Sequence, residues 1–205
     1  MGDGSGSLTD IILTLDKPIP EEVKVNQHVV ENITYTPEVS IHDNIFKETP
    51  TRGILVTTRK PIVIENNTFD GMGMAGIYIS NDAQGWYESG PVRDVTIRNN
   101  TFTRGNAQAI FIEPTNPTVS TEKTVHSNIK IENNTFFMYN KRVLDAKSVK
   151  DLTFKNNKNL QTGSDQRRWI SESGSKRRKF YRAECSRQCR TDSKRKWKYL
   201  IRKAV

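Results

Sequence analysis

The sequence predicts an all-β chain: a parallel β-solenoid of about five coils, followed by a basic C-terminal tail that is irregular or partly helical. Three observations carry that prediction. Five eight-residue segments repeat one alternating pattern, and a second family of apolar strands follows them at a constant distance. Only 34% of the 205 residues are hydrophobic, which suits a narrow core walled by short strands.

The five segments are "VSIHDNIF" (39–46), "IVIENNTF" (62–69), "VTIRNNTF" (95–102), "IKIENNTF" (129–136) and "LTFKNNKN" (152–159). Each opens with alternating apolar residues, the mark of a half-buried strand. Each has Asn at its sixth position: Asn44, Asn67, Asn100, Asn134 and Asn157. Asn tolerates the left-handed backbone of a sharp corner, and its amide can stack on the same amide one coil away. Phe follows two residues later in the first four copies and is expected inside; the fifth has Asn159, as if the pattern were ending.

Seven residues after each Phe the second strand starts: "GILVTT" from Gly53, "GIYISN" from Gly76, "AIFIEP" from Ala109 and "VLDAKS" from Val143. Two strand families in fixed phase, repeating every 23 to 34 residues, are what a solenoid requires, because no coil buries its own apolar edge. An immunoglobulin-like sandwich supplies short strands but not the constant phase. The Asn-x-Thr matches at Asn32, Asn66, Asn99 and Asn133 therefore read as corner residues rather than glycosylation acceptors.

In chain order, residues 1–7 read as a linker or scar, 8–34 as an N-terminal β segment or cap, 35–161 as the solenoid and 162–205 as the tail. The net charge of +9 is unevenly held. The tail carries 15 of the 32 Lys/Arg and 4 of the 23 Asp/Glu, a net of +11, leaving −2 for residues 1–161. No apolar run is long enough to span a membrane, and Met1 opens no signal-peptide pattern. Cys185 and Cys189 lie in the tail, while His28, His42 and His126 are scattered upstream. Two free thiols, with no metal and no cofactor, are the expectation.

The strand starts are 23, 33, 34 and 23 residues apart, so two neighbouring coils carry about ten extra residues each. Since the first half of every coil is constant, the excess falls after the second strand, at 81–91 and 114–126. Long loops gathered on one edge of a rigid solenoid commonly wall a binding site. Alternation points Ile54, Val56, Ile77, Ile79, Ile110, Ile112, Leu144 and Ala146 inward. The outward rows are then Leu55–Tyr78–Phe111–Asp145 and Thr57–Ser80–Glu113–Lys147.

Tyr78 beside Phe111, flanked by Trp86 and Tyr87, would make an apolar platform for the C–H face of a sugar. Asn81 and Arg59 sit at its border as further substrate-binding candidates. Asp82 and Glu113 are the catalytic candidates, with Glu88 a third. One coil (about 4.8 Å) and two residues (about 6.6 Å) separate Asp82 from Glu113, so their Cα atoms should lie about 8 Å apart. Inverting glycoside hydrolysis needs carboxyl groups about 6.5–9.5 Å apart, leaving room for water. Plainer readings stand beside these. Glu113 can form a surface ion pair with Lys147, and Asp82 can cap the turn leaving its strand. Glu88 can bond loop backbone, and Trp86 and Tyr87 can fold back onto the loop root.

The stretch "PTRGILVTTRKPIVIENNTFDGMGMAGIYISNDAQGWYESGPVRDVTIRNNTF" (50–102), with "ENITYTPEVSIHDNIF" before it and "VLDAKSVKDLTF" after, resembles glycoside hydrolase family 110. Those are bacterial exo-α-galactosidases that remove terminal α-1,3-linked galactose with inversion, on a right-handed parallel β-helix. The resemblance covers roughly residues 8–160. It implies a metal-independent enzyme acting on galactose-terminated glycans, exported or extracellular, with Asp82 and the Trp86–Pro91 loop as site elements. Family members are several hundred residues long, so this chain matches only their last coils. An open N-terminal edge is then expected unless residues 8–34 cover it.

The tail has no counterpart in that family. Three readings compete for it: a nucleic-acid-binding extension, a patch for an acidic surface or membrane, or a translated frameshift. For the chain as a whole, the main reading is a fragment of an inverting α-galactosidase. A non-catalytic carbohydrate-binding solenoid and nucleic-acid binding through the tail are the alternatives.

Overall fold

The computed structural model describes residues 14–25, 28, 30–81, 90–116, 120, 122–138, 141–160 and 199–202. The chain divides into two units, Met1–Val30 and Glu31–Val205. The described residues of the first unit form turns, one closed by Val23 N–H donating to the Pro20 carbonyl at 3.0 Å. No strand forms among the described residues before Val39.

In the second unit each coil contributes three short strands. The first coil has β1 (Val39–His42), β2 (Ile45–Lys47) and β3 (Ile54–Val56); the second has β4 (Ile62–Glu65), β5 (Thr68–Asp70) and β6 (Ile77–Ile79). The third has β7 (Arg93–Arg98), β8 (Thr101–Thr103) and β9 (Ile110–Ile112), and the fourth β10 (His126–Glu132), β11 (Thr135–Phe137) and β12 (Leu144–Lys147). The fifth has β13 (Val149–Lys155) and β14 (Lys158–Asn159); β15 (Tyr199–Arg202) comes from the tail. Like strands pair in parallel into three sheets, ordered β1-β4-β7-β10-β13, β2-β5-β8-β11-β14 and β3-β6-β9-β12-β15. The rest of the expected irregular or helical tail lies outside the described residues.

The core is a narrow column between the sheets. All eight residues expected to point inward from the third sheet are buried, Ile54 being the most exposed at 8%. Phe46, Phe69, Phe102 and Phe136 stack in one file with centroids 4.8–5.0 Å apart. The file does not stop where the fifth copy loses its Phe, because Phe154 of β13 covers Phe136 at 6.4 Å.

The corner chemistry is divided differently from the expectation. The left-handed residue is the fifth of each segment, namely Asp43, Asn66, Asn99, Asn133 and Asn156, with φ of 54–57°. The sixth-position Asn serves the ladder alone. Asn100 Oδ1 accepts from Asn67 N (2.9 Å) and Nδ2 (3.1 Å), and Asn134 Oδ1 accepts from Asn100 N (2.9 Å) and Nδ2 (3.0 Å). From the second coil on, each amide also donates to a carbonyl of the preceding coil, as Asn100 Nδ2 does to Ile64 at 2.9 Å. A corner has to turn and also satisfy its buried amides, and two adjacent residues share that work.

Candidate functional site

The third sheet carries the candidate site on its outer face. Its register pairs Leu55 with Tyr78, Tyr78 with Phe111 and Phe111 with Asp145, so the outward row forms on neighbouring rungs as expected. The connections leaving this sheet are short after β3 and single-residue after β12, but run over 80–92 and 113–125 after β6 and β9. Both excursions therefore leave the same edge from adjacent coils.

Tyr78 and Phe111 are half-buried and lie nearly parallel, with centroids 5.2 Å apart and planes 16° from each other. Arg52, from the coil on the other side, places its guanidinium 5.9 Å from the Tyr78 ring centre. The faces of Tyr78 are thus engaged along the solenoid axis. What the row offers outward is ring edges, because rings on successive rungs of a parallel ladder stack on one another. The Tyr78 hydroxyl is 3.4 Å from the Glu113 carbonyl.

Main-chain and short polar contacts tie the two excursions together where they begin. Glu113 N–H donates to the Ile79 carbonyl at 3.1 Å, and the Ser80 hydroxyl sits 3.0 Å from the Glu113 carbonyl. Asn81 Oδ1 accepts from Thr115 N–H at 2.9 Å. The Glu113 carboxylate lies 3.6 Å from Lys147 Nζ, the ion pair that competed with the catalytic reading, and its side chain is 26% exposed.

Arg59 pairs through Nε with Glu31 Oε2 at 2.6 Å. That pair abuts Gly90, where the first excursion re-enters the described chain. A Cβ there would fall 2.2 Å from Glu31 Oε2 and 3.0 Å from an Arg59 Nη atom, so a larger residue would have to push the ends of these two side chains aside. Asp82, Trp86, Tyr87 and Glu88 lie outside the described residues. The site as described therefore brings together Tyr78, Phe111, Asn81 and Glu113, with Arg59 at the border beside Gly90.

Three features escaped sequence reasoning. Asp145 occupies the outward row but is fully buried, ion-paired to Arg142 three residues earlier, with β15 alongside. A lone Asp in an otherwise apolar row was the available signal, but its counter-ion was not deducible from alternation. Glu31 and Arg52 gave no signal, since neither belongs to the repeat. Among the described residues no group of His, Cys, Asp and Glu is arranged to hold a metal, and no helix is long and apolar enough to cross a membrane.

Parallel strands stacked in three sheets, an inner Asn ladder and a file of Phe rings define a β-helix, and residues 26–159 match the family described as "Right handed beta helix region". The chain belongs to that family. Among curated relatives, it is 52% identical over 155 residues to an alpha-1,3-galactosidase A of Streptomyces avermitilis, covering 76% of this chain and 25% of that protein. It is 48% identical over 153 residues to an alpha-1,3-galactosidase A of Bacteroides fragilis (strain YCH46), covering 72% and 25%. An alpha-1,3-galactosidase B of Bacteroides thetaiotaomicron is 40% identical over 156 residues, covering 72% and 25%. The chain spans about a quarter of the length of these relatives.

Proposed function

We propose that this chain is part of an inverting α-galactosidase that removes terminal α-1,3-linked galactose from glycans, and that its third sheet forms one wall of the active site. The observation that carries the reading is the 52% identity to a protein named alpha-1,3-galactosidase A across the coils that bear the site. The geometry is compatible with it. Glu113 stands beside a half-buried aromatic row, on the rung next to the one from which the chain enters the Asp82 excursion.

In the proposed chemistry one carboxyl group protonates the departing glycosidic oxygen, and the other takes a proton from the water attacking the opposite face of the sugar. Glu113, with Lys147 Nζ 3.6 Å from its carboxylate, is assigned the base role. The acid role then falls to Asp82, with Glu88 as the other candidate. Tyr78 and Phe111 supply an apolar floor of ring edges. Asn81, Arg59, Trp86 and Tyr87 are the proposed contacts to the sugar. No cofactor is invoked.

The test is hydrolysis of an α-1,3-galactoside followed by NMR of the released anomer. Release of β-galactose is expected, with Asp82→Asn and Glu113→Gln each lowering kcat by about 10²-fold or more. Saturable galactoside binding that survives both substitutions, with no release by the unsubstituted chain, would instead mark a carbohydrate-binding module in which Glu113 is only an ion-pair partner.

A further inference from the structure

In the first four coils the strand of the third sheet follows that of the second after six residues: Glu48–Gly53, Gly71–Gly76, Arg104–Ala109 and Met138–Val143. The fifth coil breaks this rule. β14 ends at Asn159 and the next strand in the third sheet begins at Tyr199, with 39 residues between them. The ladder nevertheless continues without a slip: Leu144 pairs with Tyr199, Asp145 with Leu200, Ala146 with Ile201 and Lys147 with Arg202. Beside β15, Leu144, Asp145 and Ala146 are at most 1% exposed, whereas Val149, Leu152 and Phe154 of the terminal strand β13 are only partly buried.

We propose that the basic tail ends in a detachable strand. Tyr199–Arg202 docks in cis on the edge of β12, completes the fifth coil, and separates locally before the other rungs open. The edge of β12 is thus an interaction surface for an extended parallel strand, held by main-chain hydrogen bonds as in β-strand addition.

Three observations favour detachment. The strand is four residues long, and no further strand pairs with its outer side among the described residues. Its connection is several times longer than those of the other coils, and loop-closure entropy grows with length. Short, singly paired edge segments open with low free energy. The consequence falls at the candidate site, because Lys147 holds Glu113 from one side of β12 while Arg202 is its register partner on the other. The inference does not depend on which substrate the site takes.

Native-state amide exchange of the full chain by NMR tests it. Between earlier coils, Ile110 N–H donates forward to Val143 O at 2.9 Å, and Glu113 N–H donates back to Ile79 O at 3.1 Å. The same register turns the Leu144 and Ala146 amides toward β15, and the Leu200 amide toward β12. Leu200→Pro removes that donor, whereas Leu200→Ala keeps it. In Leu200→Pro the Leu144 and Ala146 amides should exchange at least about tenfold faster, with Ile97 and Ile131 unchanged. Leu200→Ala should retain most of the protection. Unchanged exchange at Leu144 and Ala146 in Leu200→Pro overturns the docking, and loss of protection at Ile97 and Ile131 as well overturns the detachability.

Discussion

His126 shows how one buried side chain couples the coils to pH. Its Nδ1 accepts the Val92 amide at 3.0 Å, so the neutral ring must carry its proton on Nε2, which has no partner among the described residues. Burial first, and the nearby Arg93 charge second, push its pKa down from 6.5 to about 4. The unfolded chain therefore binds more protons than the folded one between those values. His126 contributes no penalty above about pH 6.5, and stability falls as pH drops toward 4, by about 3 kcal/mol in all. His126→Gln keeps an acceptor for Val92 without titrating. Urea unfolding of the two proteins from pH 7 to 4.5 should show the substitution flattening the decline by up to about 1.4 kcal/mol per pH unit. Equal slopes would mean that the imidazole titrates normally in the fold. Asp70 shifts by the more familiar route: the Arg104 guanidinium, bonded to both carboxylate oxygens, holds it below the usual carboxylate range.

At the scale of the elements, most of the strands are only three or four residues long, too short to persist singly. Repetition stabilises them, and the Asn ladder and Phe file are the two devices that repeat. Asn100 sits mid-ladder, fully enclosed, accepting from Asn67 and donating to Asn134 and Ile64. Asn100→Ala removes the acceptor for a buried backbone amide and a buried side-chain amide. A loss of about 2–4 kcal/mol is expected by chemical denaturation. Asn44→Ala, at the exposed start of the ladder, should cost about 1 kcal/mol or less. Similar losses at both positions would show that desolvation does not set the ladder's value.

For the whole molecule, charge is segregated along the chain: a net of +11 over residues 162–205 against −2 over the rest. Retention on a polyanion such as heparin should therefore follow the tail. Replacing Lys176, Arg177, Arg178 and Lys179 by Gln leaves β15 intact and should lower the eluting salt concentration, while leaving the unfolding midpoint of the coils unchanged. Undiminished retention would show that this cluster does not carry the polyanion binding. The same segment provides β15, so its ionic and strand-forming roles are separable by residue: the first belongs to the Lys/Arg clusters, the second to Tyr199–Arg202.

The sequence alone determined two of the three strand families, their registers, the inward apolar set and the edge from which both excursions leave; the sheet β2-β5-β8-β11-β14, folded from the residues around each Phe, emerged only in the structure. The features determined by sequence are consequences of period and alternation, which translate directly into rungs when every coil is built alike. Only the tertiary structure decided that the left-handed corner falls on Asn66 rather than Asn67, and that Asp145 is enclosed with Arg142. It also showed the Tyr78 faces to be taken by Phe111 and Arg52, and the fifth coil to be closed by a strand 39 residues away. Each of these depends on which atoms meet across coils, and a linear pattern carries no information about contacts between residues that it does not repeat.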